Sequence, residues 1–201
     1  MKVRIAATAA LTLAVALTLV GCADGSGSPS MPGMDHGRSS SPSSASADVN
    51  AADVMFAQMM IPHHEQAIEM ADMILDKEGI DPGVLALASD IKAAQQPEID
   101  QLQSWLDEWG VDMPGMDSTD GMGHGDGMMS EDDMAALEAA AGGEASRLFL
   151  EQMIVHHEGA IEMAQDEVLN GQNADVTEMA QSIIDAQTAE IAQMQELLDR
   201  L

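Results

Sequence analysis

Two pairs of adjacent histidines, His63-His64 and His156-His157, are the side chains of this sequence best suited to chemistry. Each pair follows a methionine by three residues, Met60 and Met153, and precedes another by seven, Met70 and Met163. Imidazole with thioether makes a donor set for a soft cation, Cu(I) above all, and suits iron poorly. Helical bundles that hold two irons use Glu-x-x-His on facing helices; here sulfur stands where that carboxylate would be. Met60 lies three residues from His63 and four from His64, so all three can converge on one side of a helix. Taken singly, a methionine at helical spacing is core filling and a histidine is a core residue bonded to a neighbour. Four imidazoles at repeated positions point instead to a shared purpose, because each unsatisfied buried polar group costs roughly 1–3 kcal/mol that leucine would not.

The elements that must position these residues are helices. At about 100° per residue, Phe56, Met60, Ala67 and Met70 fall within about 60° of His63, and His64 lies near 100°, while Glu65, Glu69 and Asp72 collect on the far side. Both histidines therefore face inward. The stretch Phe56-x-x-x-Met60-x-x-His63-His64-Glu65-x-Ala67-Ile68-Glu69-Met70-Ala71 recurs from Phe149 to Ala164 at an offset of 93. A following helix repeats too: Ala88, Ile91, Gln95, Glu98 and Ile99 answer to Ala180, Ile183, Gln187, Glu190 and Ile191 at an offset of 92. Gln95, Glu98, Gln187 and Glu190 are candidate supports, since an inward carboxylate accepts an imidazole N–H and leaves the other nitrogen for a metal; the alternative is that both glutamates lie at the seam edge and stay solvated. Two helix-turn-helix repeats predict an all-α four-helix bundle, with repeat one at 51–110 and repeat two at 144–201. A short helix is expected over 131–141, then a Gly142-Gly143 break, and Pro97, inside a second helix that runs to about Trp109, is expected to remove one backbone bond and kink it beside Gln95.

Met-rich segments outside the helices have no packing role to explain them. Met113-Pro114-Gly115-Met116-Asp117 echoes Met31-Pro32-Gly33-Met34-Asp35, which His36 follows, and Met122, His124, Met128 and Met129 come within the same loop, 111–130. Methionine in a Gly/Asp-rich loop invites oxidation but, with histidine close by, can wrap a soft cation. Compositional bias is the competing reading. There are 18 Met against two Trp, two Phe and no Tyr.

The N-terminus sets the expected compartment. Lys2 and Arg4 precede an apolar run shorter than the ~20 residues a membrane span needs, so 1–21 reads as a signal peptide. Leu19-Val20-Gly21-Cys22 resembles a bacterial lipobox, which makes Cys22 the lipidation site; as the sole cysteine it has no disulfide partner. Residues 22–48, rich in Ser, Gly and Pro, read as the lipidated cysteine and a disordered tether, and 49–201 as the bundle. A net charge of −28 disfavours nucleic acid and anionic headgroups and favours cations. No phosphate loop, zinc spacing or nucleophile–base–acid set occurs.

The stretch Met59-Met60-Ile61-Pro62-His63-His64-Glu65-Gln66-Ala67-Ile68-Glu69-Met70-Ala71, with Gln95-x-x-Glu98-Ile99 and the second copy of each, resembles the signature of the domain of unknown function 305 family over roughly 50–201. The resemblance implies a ferritin-like four-helix bundle, commonly exported, with some Met/His-rich members binding copper. The function expected is an extracytoplasmic copper-binding lipoprotein, not an enzyme, that buffers or delivers copper. A ferritin-like metal oxidase and a metal-free structural or interaction module of the envelope are the alternatives. The expected partners are the metal ion and the membrane, through the lipid anchor alone; the reading also admits a copper-handling protein and a second copy of the chain. Leu102 against Met194, and Pro62 against Val155, suggest that the two sites differ.

Overall fold

The computed structural model describes residues 49–113 and 127–201, and all of its regular elements there are helical. Cys22, Met31, Met34, His36, Met116, Met122 and His124 lie outside the described residues.

Helix α1 (Ala51–Leu75) opens on a capping box: the Asn50 side chain accepts from Ala52 and Asp53 N–H, and Asp53 accepts in return from Asn50 N–H at 2.6 Å. Helix α2 (Pro82–Trp109) starts with Pro82 behind the cap Asp81 and stops at Gly110, whose φ of 69° is the left-handed conformation glycine adopts without strain. Helix α3 (Glu131–Ala139) is capped by Ser130, α4 spans Gly142–Asn170, and α5 spans Ala174–Leu198 behind the cap Asn173. α2 runs through Pro97 as α1 runs through Pro62. One expectation needs correction: Gly142 and Gly143 are not a gap, since α4 begins on them.

α1 pairs with α2 and α4 with α5, and the two hairpins meet along α1 and α4, with α3 lying on both of these. This is the four-helix bundle of two repeated hairpins, plus one short helix, α3, that precedes the second hairpin. α1 and α4 run antiparallel: Asn50 at the start of α1 donates to the carbonyl of Asn170 at the end of α4. The hairpins brace each other crosswise. Asp53 accepts from Gln172 and Asn173 N–H in the α4–α5 turn at 3.0 and 2.9 Å. Its repeat equivalent, Ser146, accepts from Asp81 N–H in the α1–α2 turn at 3.2 Å.

The apolar interior is divided. One cluster holds Ala67, Met70 and Ile74 of α1, Leu87 and Ile91 of α2, Phe149 and Met153 of α4, and Met194 of α5. The other holds Phe56 and Met60 of α1, Ile99 and Leu102 of α2, Ala160 and Ala164 of α4, and Ile183 of α5. On each of α1, α2, α4 and α5 buried polar residues lie between the two clusters: His63 and His64, Gln95, His156 and His157, and Gln187. A polar layer thus crosses the bundle at mid-height between two dry halves.

Candidate metal centre

All four histidines are at most 1 % exposed. The 3.6-residue period puts His63 and His156 at the middle of the inward faces of α1 and α4, and because these helices are neighbours the two rings meet, with centroids 3.7 Å apart and planes tilted by 38°. His64 and His157 lie a further 100° round their helices and turn toward the partner helix of their own hairpin. There His64 Nε2 lies 2.8 Å from Glu98 Oε2, and His157 Nε2 lies 2.7 Å from Glu190 Oε2. A carboxylate only accepts, so each imidazole donates from Nε2, and in the neutral tautomer this leaves the lone pair of Nδ1 for another partner. The glutamate side chains are 24 % and 20 % exposed, so each pair runs from the bundle surface into the layer.

Polar atoms in this layer are left over. Nδ1 of His64, Nδ1 of His157 and both amide atoms of Gln95 have no hydrogen-bond partner among the described residues. Burial, reinforced by the neighbouring His63, His157 and His64, pushes the His156 imidazole well below its ordinary range, so it is neutral at pH 7 and its lone pair is available. Each orphan costs roughly 1–3 kcal/mol. A cation supplied with neutral nitrogen donors would offset that cost.

The thioethers are distributed unevenly. Met60 and Met153 are fully buried and border the layer from opposite sides, one in each apolar cluster, and Met70 is buried beside Met153. Met163 does not repeat the placement of Met70: it is half-buried and lines a surface cleft with Met55 and Met59. The loop methionines also differ from expectation where they are described. Met113 is 42 % exposed, but Met129 is held by Gln66, which donates to its carbonyl at 2.9 Å and accepts from its N–H at 2.7 Å, and its side chain packs on the core. Met128 is half-buried beside it. Among the described residues no three His, Cys, Asp or Glu side chains form a chelate. The layer therefore offers imidazoles in pairs with sulfur at its borders, an arrangement for a soft ion of low coordination number and not for a hard one needing six oxygens.

A second polar feature escaped the sequence reading. Glu167 is 2 % exposed and lies against Asp53. Burial first, then Asp53, pushes its carboxyl up to about 8. Burial also pushes Asp53 upward, but the N–H groups of Asn50, Asn173 and Gln172, with Glu167, outweigh it and hold Asp53 below the usual carboxylate range. A Cβ at Gly171 would run into the Glu167 carboxylate, so glycine there leaves the room this side chain occupies. The available signal was that Glu167 stands where repeat one has the buried Ile74.

A sequence profile of the domain of unknown function DUF305 matches residues 53–198, and the chain belongs to that family. The fold is similar to the crystal structure of a DUF305 fragment from Deinococcus radiodurans, with 31 % identity, 76 % of this chain and 99 % of that one covered, and a TM-score of 0.70. A DUF305 protein from Streptomyces coelicolor, assigned as secreted, is 32 % identical over 74 % of this chain and 93 % of its own, with a TM-score of 0.68. CopM in its Cu(I)-bound form is 32 % identical over 74 % and 96 %, with a TM-score of 0.62, and similar CopM structures hold Cu(II) and Ag. Among curated sequences, the uncharacterized protein L153 of Acanthamoeba polyphaga mimivirus is 43 % identical over 56 residues, a match that spans 36 % of its length.

Proposed function

We propose that this protein binds copper outside the cytoplasm and buffers or passes it on, holding Cu(I) in the polar layer at mid-bundle. The observation that carries the reading is the pair of His–Glu contacts, which fix two imidazoles with their inner nitrogens lacking a partner in a dry interior. His63, His64, His156 and His157 would supply nitrogen, Met60 and Met153 sulfur, and Glu98 and Glu190 the orienting hydrogen bonds, with Gln95 and Gln187 completing the layer and Met70 close by. The likeness to CopM, solved with Cu(I), Cu(II) and Ag, supports a soft-metal cargo, and the likeness to a DUF305 protein assigned as secreted supports the compartment.

Cys22 would carry a lipid after removal of 1–21, and 22–48 would tether the bundle to the membrane. Met31, Met34, His36, Met113, Met116, Met122, His124 and Met128 would capture the ion and raise its local concentration near the bundle. The reading is one of binding and release, without redox turnover.

Cu(I) titration against a chromophoric competitor tests it. Replacing His63, His64, His156 and His157 together by Ala is expected to abolish the tightest class of Cu(I) site. Unchanged stoichiometry and affinity in that variant, with helical content intact, would remove the interior site.

A further inference from the structure

The repeat makes two grooves between α1 and α4 equivalent, and they are treated differently. In one, Met70 and Ile74 share an apolar cluster with Leu137 of α3, Met129, Met134 and Leu148 pack against it, and Gln152 donates to the carbonyl of Asp133 at 2.9 Å. That groove is filled by α3. In the other, the positions equivalent to Leu148, Gln152, Met70 and Ile74 are Met55, Met59, Met163 and Glu167, and they line an open cleft of about 290 Å³.

At these four equivalent positions three thioethers therefore stand where the covered groove has one, and they collect at the surface. Met55 is 56 % exposed, so burial does not account for it. Met55 and Met59 are one turn apart on α1, and Met163 meets them from α4. Glu162 and Asp166 also line the cleft, no Lys, Arg or His among the described residues does, and the buried Glu167, which burial and Asp53 keep protonated, lies in its wall. Sulfur donors beside the ionised carboxylates of Glu162 and Asp166 fit a soft monovalent cation.

We propose that this cleft is a second metal site, separate from the histidine layer, in which one Cu(I) or Ag(I) ion is held by the thioethers of Met55, Met59 and Met163. Glu162 and Asp166 attract the ion without having to ligate it. The inference rests on the reading that the chain handles soft monovalent metal, and it adds a place on the bundle surface where such an ion is held in contact with solvent.

The test uses the intact protein with methionine methyl groups labelled with carbon-13, titrated with Ag(I). The methyl signals of Met55, Met59 and Met163 are expected to move together and saturate at one equivalent, also in the variant lacking all four core histidines. Met55→Leu/Met59→Leu/Met163→Leu, which conserves volume, is expected to bind one Ag(I) fewer while the imidazole signals still respond. Three stationary methyl signals during saturation of the rest of the protein, or full stoichiometry in the triple variant, overturns the cleft site. Moving methyl signals with silent imidazoles would instead sustain the cleft and overturn the interior centre.

Discussion

Glu167 gives the bundle a pH dependence whose sign and size follow from its surroundings. In the unfolded chain its carboxyl ionises near 4.5, whereas in the fold it keeps its proton to about 8. Between those values the native state holds a proton that the unfolded state has lost, so stability falls as pH rises, by about 1.4 kcal/mol per unit. His156 acts with the opposite sign below its ordinary 6.5, because it stays neutral when folded and becomes charged when unfolded. The two effects oppose one another below pH 6.5, and Asp53, held low, contributes only below 3.8. The clean window is pH 6.5 to 8, in which Glu167 alone should cost roughly 2 kcal/mol. Urea unfolding of metal-free protein across that window, beside Glu167→Gln, measures it, since the difference between the two proteins cancels every other titrating group. Glu167→Gln should be nearly flat where the parent declines. Parallel pH profiles would refute the assignment of a buried, protonated carboxyl at this position.

Further predictions follow from the layer and from α3. Glu98→Gln and Glu190→Gln keep the side-chain shape but remove the charge that orients His64 and His157, and together should weaken Cu(I) binding about 10–100-fold while leaving helical content unchanged, as competition titration and circular dichroism would show. His156→Leu removes a buried imidazole and should raise metal-free stability by roughly 1–3 kcal/mol while impairing binding; a fall in the urea midpoint would count against the polar layer being a burden kept for function. Leu137→Ala takes away the one fully buried side chain of α3 and should cost about 2–4 kcal/mol, with faster hydrogen exchange confined to α3 and the groove beneath it.

The sequence made much of this legible because the relevant periods are short-range. Asn50, Asp81, Ser130 and Asn173 announce helix starts through caps that need only their own neighbours. The inward setting of His63, His64, His156 and His157 follows from the 3.6-residue period on helices whose other face is acidic, and the Gln95-x-x-Glu98 spacing in repeat placed carboxylates within reach of imidazoles. Long-range features were not readable. Nothing local reports that His63 meets His156, that Asp53 ties down a turn almost 120 residues away, or that Gln66 pulls Met129 out of the loop and onto the core. Met163 was misplaced for a related reason: repetition of sequence implies repetition of surroundings only when the neighbours also repeat, and α3 covers one groove and not the other.

The crosswise bracing of the turns has a consequence for how the two halves depend on one another. Asp53 belongs to the first hairpin but secures the bend of the second, and Ser146 does the reverse. A hairpin expressed alone would lack the group that closes its own corner, however good its internal helix pairing. Two separately made hairpins, by contrast, carry between them every contact of this kind, because neither brace needs the peptide that links them. The covalent join is therefore not needed for either brace, and a pair of nicked or independently synthesised halves is expected to reassemble.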